Sequence, residues 1–150
     1  MKLSRSVVYA LRALVQLAEA NPHTPVSCGT LAAAGSMPER FLLQLLRKLV
    51  AHQILQSTRG AEGGYRLRRS ADEITLLEVV EAIEGPLANK GDFAVDILGR
   101  RASSQLLNVL DRIAKVARAE LEAVTLAQLV PQAAHLQATP ESGGAVSRRS

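Results

Sequence analysis

The sequence has very few cysteine and aromatic residues. Its 150 residues include one cysteine, two tyrosines, two phenylalanines and no tryptophan. A single thiol excludes an intramolecular disulfide framework and fits a reducing compartment. So few aromatic rings argue against a platform that stacks the bases of single-stranded nucleic acid.

Long hydrophobic runs and enzyme motifs are also missing. No stretch approaches the roughly 18 apolar residues of a transmembrane helix, and no secretory signal opens the chain. We therefore expect a cytoplasmic protein with no membrane partner. No HExxH motif, phosphate-binding P-loop or nucleophile–base arrangement occurs, so we expect no enzyme.

Basic residues are concentrated in the first half of the chain. Residues 1–69 hold ten Lys and Arg against three Asp and Glu, a net charge of +7, whereas residues 70–150 hold eight against eleven, a net charge of −3. This asymmetry favours a polyanion partner for the N-terminal half, with a merely basic solvated face as the alternative.

Apolar periodicity predicts three helices before residue 54. The first follows Ser4 as its N-cap and ends at a proline-rich turn. A short helix follows over about 27–34, with Gly35 as its C-terminal cap. Ser36-Met-Pro-Glu39 has the form of a capping box for a third helix that ends near Gln53.

The second and third of these helices form a helix-turn-helix pattern. They are joined by about three residues, and the third helix is basic on its outward side. Any helical hairpin in a bundle can show the same pattern. The outward residues of the third helix are Arg40, Leu43, Gln44, Arg47 and Lys48.

A β-hairpin is predicted directly after these helices. Residues 54–58 and 65–68 are strand-like, and the loop between them contains Gly60, Gly63 and Gly64. Arg59 lies beside Gly60 at the hairpin tip, and the glycines permit close backbone approach to a partner. The combination favours a DNA-binding wing, with the helix in a major groove and Arg59 at the neighbouring minor groove. The alternative is an ordinary flexible hairpin with a solvated arginine.

The C-terminal half predicts a dimerisation helix. Thr75 and Glu78 form a capping box for a helix that ends at Gly85. A longer helix follows over about 101–124, roughly 36 Å at 1.5 Å per residue. Because so small a winged helix cannot cover that length, we favour a partner helix over packing within one chain. The seam residues recur at coiled-coil spacing: Leu106, Leu110, Ile113, Ala117, Leu121 and Val124.

We therefore predict a mainly α fold with a small β-hairpin, in three parts. Residues 1–85 form a winged helix-turn-helix DNA-binding domain. Residues 86–131 form a loop and the dimerisation helix, and a capped short helix begins at Thr125. Residues 132–150 form a disordered tail.

Four motifs in order carry a family resemblance. They are the opening Met1–Ser4 with Tyr9-Ala10, the wing Arg59-Gly60-x-x-Gly63-Gly64-Tyr65, the segment Ile74–Pro86, and the closing Thr125–Val130. Over residues 1–131 the chain resembles the IscR/NsrR-type (Rrf) family of bacterial winged helix-turn-helix transcriptional regulators.

The resemblance implies a homodimer that binds a palindromic operator in double-stranded DNA and usually represses transcription. It implies that Arg59 enters the minor groove and that Arg40, Leu43 and Gln44 face the bases. Leu43 replaces the polar or acidic residue that some members carry there. A winged-helix protein-interaction module without specific DNA binding is the alternative, favoured if the chain's own acidic residues block the basic face.

Many members hold an iron–sulfur cluster through three cysteines in the loop before the long helix. In this chain residues 86–104 contain no cysteine, and residues 1–18 contain neither histidine nor acid. The other donors are His23, Cys28, His52 and His135. Since a cluster needs several thiolates or supplementary ligands, we expect no cofactor and no metal site.

Cys28 is a possible redox sensor. It lies at the start of the second helix, where free N–H groups favour the thiolate. The alternative is a small residue that fills the first turn. Reversible oxidation would need an intersubunit disulfide or a glutathione cap, because the chain has no second cysteine. A small-molecule effector at the dimer interface is the other source of a signal.

Overall fold

A computed structural model of the chain describes residues 2–87 and 97–131. The helices are α1 (Arg5–Glu19), α2 (Cys28–Gly35), α3 (Glu39–Ala51), α4 (Leu76–Glu84) and α5 (Arg100–Glu122). Strands β1 (Leu55–Thr58) and β2 (Gly64–Leu67) form an antiparallel hairpin, and 3-10 helices span Ala71–Glu73 and Leu126–Leu129. The fold is mainly helical with one small hairpin and a long C-terminal helix, as the sequence predicts. None of the described helices is long and apolar enough to cross a membrane.

One apolar core contains the N-terminal helices, α4 and the segment that follows α5. The inward faces of α1, α3 and α4 meet there, and Leu126 from the last 3-10 helix is also fully buried. Covering each such side chain contributes roughly 1.5–3 kcal/mol. The largest fully buried side chains include Leu14, Leu31, Leu42, Leu46, Leu49, Ile54, Leu55 and Ile74.

The turn between α2 and α3 corrects two predictions. Ser36, and not Gly35, adopts the left-handed conformation that ends α2, with φ 52° and ψ 47°. Gly35 is the buried last residue of α2, and a Cβ there would force the Met37 side chain to shift. The capping box of α3 is also absent, because Ser36 already ends α2 and Pro38 precedes α3 without a side-chain hydrogen bond.

The hairpin is fastened to the helices through Val26. The Val26 N–H donates to the Tyr65 carbonyl at 2.9 Å, and the Tyr65 N–H donates back at 2.8 Å. A Cβ on Gly64 would collide with the Val26 backbone, so this approach requires glycine at position 64. These bonds hold the wing beside α2 and therefore beside the helix-turn-helix.

The segments around α4 fix the start of this helix and the end of α5. Thr75 and Glu78 form the predicted capping box, with both reciprocal bonds present. Gly85 ends α4 with φ 89°. After α5 the chain pairs with the segment before α4, because Leu126 N–H donates to the Ile74 carbonyl at 2.8 Å. The predicted loop falls largely on residues 88–96 and the predicted tail on 132–150, outside the described residues.

Candidate nucleic-acid interface

The outward face of α3 is exposed and basic. Leu42, Leu45, Leu46 and Leu49 bury the opposite face in the core. This burial fixes the rotation of the helix, so the predicted contact residues face outward. Of these, Arg40, Gln44, Arg47 and Lys48 are exposed, and Leu43 is half-buried.

Lys48 differs from its neighbours because it already has a partner within the chain. Its Nζ donates to the carbonyl of Ile83, in the last turn of α4, at 3.0 Å. A cation at a helix C-terminus satisfies a free carbonyl and complements the helix dipole. Lys48 therefore differs from the other predicted contact residues of α3, because its ammonium group is already hydrogen-bonded within the chain.

Arg59 lies exposed near the tip of the hairpin, as its position in the loop predicts. The turn closes through a hydrogen bond from the Gly63 N–H to the Gly60 carbonyl at 3.0 Å. Gly60 has φ 112°, a conformation that favours glycine. In residues 2–87 and 97–131 no salt bridge involves Arg40, Arg47 or Arg59, so acidic residues do not neutralise this face there.

A cleft lies between α3 and the hairpin. It is a cavity of about 450 Å³, with both polar and apolar walls, between the start of α2, the outer side of α3 and the hairpin. Arg47, Arg59 and Tyr65 line it, together with the hydroxyl groups of Ser57 and Thr58. Neither Ser57 nor Thr58 was among the sequence candidates, because strand alternation does not show which strand residues lie beside a helix.

Tyr65, on β2 of the hairpin, lies close to Cys28 of α2 and Arg47 of α3. Burial raises the pKa of its phenol, the nearby Cys28 raises it further, and Arg47 partly opposes the change. The phenol is therefore neutral at physiological pH and can donate a hydrogen bond to an anion. Arg47, Arg59 and Tyr65 together present positive charge and donors suited to phosphate oxygens.

Cys28 lines the same cleft, in surroundings that disfavour its thiolate. Burial and the Glu39 carboxylate both raise its pKa. The thiol also donates to the Glu39 carbonyl, with Sγ 3.6 Å from the oxygen. The direction is opposite to the lowering expected from the position of Cys28 at the start of α2, because burial and the Glu39 carboxylate both act against the thiolate.

The donor set does not fit a cysteine-ligated iron–sulfur cluster. The chain has one cysteine, and Cys28 Sγ is already directed to a backbone carbonyl. Of the other donors, the Nδ1 atom of His52 contacts the Lys48 carbonyl at 2.9 Å. Among the residues that the structure describes, no three His, Cys, Asp or Glu side chains form a group that could hold a metal ion.

The long helix α5 presents an exposed apolar stripe. Its large apolar side chains remain substantially exposed: Leu106 39%, Val109 42%, Ile113 54% and Val116 64%. Val109 and Val116 were not in the predicted seam. Conversely, Leu110, Ala117, Leu121 and Val124 are half-buried, and Leu121 packs against the core. The predicted seam therefore combines residues from two adjacent faces of the helix.

A helix-turn-helix followed by a hairpin with an exposed arginine defines a winged helix-turn-helix DNA-binding protein. The Rrf2 family, described as iron-dependent transcriptional regulators, matches residues 3–132. The chain belongs to this family and is a DNA-binding transcriptional regulator, not an enzyme.

Relatives of known sequence or structure agree with this assignment. The chain is 38% identical over 130 residues to Rv1287 of Mycobacterium tuberculosis, an HTH-type transcriptional regulator by name, covering 86% of this chain and 81% of the relative. The structure of CymR, the global cysteine regulator of B. subtilis, aligns with a TM-score of 0.68 and 26% identity over 86% of this chain and 95% of CymR. The T. potens IscR structure aligns with a TM-score of 0.63 and 29% identity, covering 93% of each chain.

Proposed function

We propose that this regulator is a homodimer that binds a palindromic operator and represses transcription. The helix α3 enters a major groove, and Arg59 enters the adjacent minor groove. The observation that carries the proposal is the cleft lined by Arg47, Arg59 and Tyr65. It brings the recognition helix and the wing to one basic, unneutralised surface. Residues 1–85 supply this surface, and residues 86–131 supply the dimer contact.

The dimer contact in this proposal uses the exposed stripe of α5. A contiguous apolar surface of this kind on a soluble chain is typical of a protein interface. In a two-fold dimer the same stripe meets itself, so one apolar surface serves both subunits. The recognition helices would then lie about 34–36 Å apart, or a multiple of that distance, to match successive major grooves.

We also propose that the regulator works without a cysteine-ligated cluster. One thiol per chain gives two in a dimer, fewer than the usual cluster requires. A small-molecule effector is then the preferred signal, with Cys28 as the second candidate. Anaerobically purified protein should be colourless, and treatment with a chelator should leave its DNA affinity unchanged. An iron–sulfur absorption band with stoichiometric iron would contradict this part of the proposal.

An electrophoretic mobility assay tests the DNA-binding mode. The probe is the DNA upstream of the protein's own gene, or a duplex selected from random sequence. Arg59→Ala should weaken binding by about 1–3 kcal/mol, because a minor-groove arginine contributes on that scale. Arg101→Ala, which removes an exposed arginine from α5, is the matched control.

Three outcomes are distinguishable in this assay. Weaker binding by Arg59→Ala with unchanged binding by Arg101→Ala supports the proposed mode. Equal affinity of wild type and Arg59→Ala at physiological salt would exclude a minor-groove role for the wing. Failure of the wild-type protein to bind any selected duplex would favour a protein-interaction module instead.

A further inference from the structure

Glu81 connects α4 to α5 and to the segment that follows α4. Its Oε1 atom accepts a hydrogen bond from the Leu87 N–H at 3.1 Å. The same oxygen accepts from Nη1 of Arg118 on α5, forming an ion pair. The Glu81 side chain is 25% exposed, so solvent screens this pair only partly.

The recognition helix reaches the same end of α4. Lys48 on α3 donates to the carbonyl of Ile83, two residues beyond Glu81. One turn of α4 therefore carries a polar contact to α3 and another to α5. The turn that contains Glu81 and Ile83 therefore contacts both α3 and α5.

Separate backbone hydrogen bonds attach the C-terminal end of α5 to the segment before α4. The Leu76 N–H donates to the Val124 carbonyl at 2.9 Å, next to the bond between Leu126 and Ile74. Arg118 lies six residues before Val124, or about 9 Å along a helix. These two attachments restrain both the position and the direction of α5, together with Leu121 packed against the core and Ser103 buried nearer the start of the helix.

The direction of α5 has a large effect at its other end. From Arg118 to Arg100 the helix extends about 27 Å at 1.5 Å per residue. A tilt of about 10° at Arg118 would move the Arg100 end by roughly 5 Å, more than the 3.4 Å rise of one base pair. The exposed stripe lies on this part of α5, between Arg100 and Arg118, so a tilt would also move a partner subunit bound to it.

We propose that Glu81 is a positioning residue that sets the half-site spacing of the operator. By holding Arg118 and the Leu87 amide, it fixes the angle between the winged domain and α5. This inference rests on the proposed homodimer and palindromic operator. It predicts that Glu81 controls which spacing is bound and leaves the recognition of each half-site unchanged.

The test measures binding to duplexes that differ only at the centre of a selected operator. One or two base pairs are inserted or removed, and an isolated half-site is the reference. Inserting one base pair rotates the half-sites by about 34° and separates them by a further 3.4 Å or so. Wild type should lose affinity by at least about tenfold for each altered spacing, a loss comparable to one mismatched base pair.

Glu81→Gln and Arg118→Met should reduce this discrimination to about threefold or less, with half-site affinity within twofold or so of wild type. Lys115→Met is the matched control. It breaks the 2.8 Å ion pair with Asp111, which lies on α5 and does not reach α4. This variant should retain the spacing preference of the wild type.

Different results would overturn the two levels of the proposal. If both variants discriminate spacing as strongly as wild type, apolar packing sets the angle and the role of Glu81 is refuted. If Glu81→Gln fails to fold, Arg118→Met decides, because the Arg118 side chain is 43% exposed and tolerates replacement better. A wild-type protein that is monomeric, or that binds no duplex, would overturn the proposed function and this inference with it.

Discussion

Replacing Ile113 with aspartate should separate the proposed dimer without unfolding the subunit. Ile113 is 54% exposed within the apolar stripe of α5. Aspartate at this position remains solvated in the monomer, so the fold of one chain should change little. In a dimer whose contact is the stripe, two new carboxylates would lose water close to the two-fold axis.

The size of the effect follows from the exposed fraction of Ile113. Full burial of an isoleucine side chain is worth roughly 1.5–3 kcal/mol. Covering the exposed half would contribute about 0.8–1.6 kcal/mol, and the two-fold axis doubles this to about 2–3 kcal/mol. Desolvation of the carboxylates adds to the loss. Since about 1.4 kcal/mol is a factor of ten, the dimer dissociation constant should rise at least about 15-fold from the lost apolar contact, and further from the carboxylate desolvation.

Sedimentation equilibrium from nanomolar to tens of micromolar protein measures this change. Wild type should show the mass of two chains at micromolar concentration, and Ile113→Asp the mass of one. Asn108→Asp adds the same charge to an exposed position of α5 outside the stripe, and it should remain dimeric. Matching circular dichroism spectra and melting temperatures would show that the subunit remains folded. A monomeric wild type, or a variant that dimerises like wild type, would refute the reasoning.

Two further predictions concern pH and thiol chemistry. Burial opposes the charge of Glu78, but the Thr75 backbone N–H and Arg69 outweigh it and lower the pKa of this carboxyl below 4.5. Its contribution to stability is therefore present above the unfolded pKa and is lost as pH falls through the lower folded pKa. Glu78→Gln should reduce the unfolding free energy at pH 7 by about 1 kcal/mol or less, given solvent screening, and the difference should disappear in acid. A difference that stays constant down to pH 2 or so would contradict this link between the pKa shift and stability. Cys28 should react with iodoacetamide more slowly than a free cysteine at pH 7, because burial and Glu39 raise its pKa. Faster alkylation than free cysteine would show an activated thiol, and Cys28→Ser would then be tested for loss of a peroxide response.

The parts of the fold that the sequence predicts well are those with local causes. Ser4, Ser27 and Thr75 each accept a hydrogen bond from a backbone N–H three residues further along the chain. A cap of this kind depends on neighbouring residues, so helix starts can be located without tertiary information. The outward face of α3 can be predicted equally well, because leucine periodicity alone determines which side of the helix enters the core.

The turn between α2 and α3 shows where local signals conflict. Gly35 is the better residue for a left-handed cap, yet Ser36 adopts that conformation. Part of the reason is tertiary, because a Cβ at position 35 would lie 3.0 Å from the Gln16 side chain of α1 and would force the Met37 side chain to shift. Contacts such as Lys48 with Ile83 likewise join residues far apart in the chain. No pattern within either segment predicts such a pair.

The sequence predicts that α5 has an apolar seam, but it does not show which seam residues pack against the chain's own core and which remain exposed. At about 100° per residue, the exposed positions 106, 109, 113 and 116 fall within an arc of about 80°. Positions 110, 117 and 121 fall in the adjacent arc, and Leu121 contacts the chain's own core. Coiled-coil spacing includes members of both arcs, because a wide apolar face satisfies it as well as a narrow one.

These two adjacent faces have a mechanical consequence for regulation. The face with Leu121 and Arg118 attaches α5 to its own winged domain, while the face with Ile113 is free for a second subunit. A ligand that alters the attachment to α4 would rotate or tilt the free face without entering it. Under the proposed function, the contact between Glu81 and Arg118 then changes the separation of the recognition helices, and an effector need not touch DNA to regulate binding.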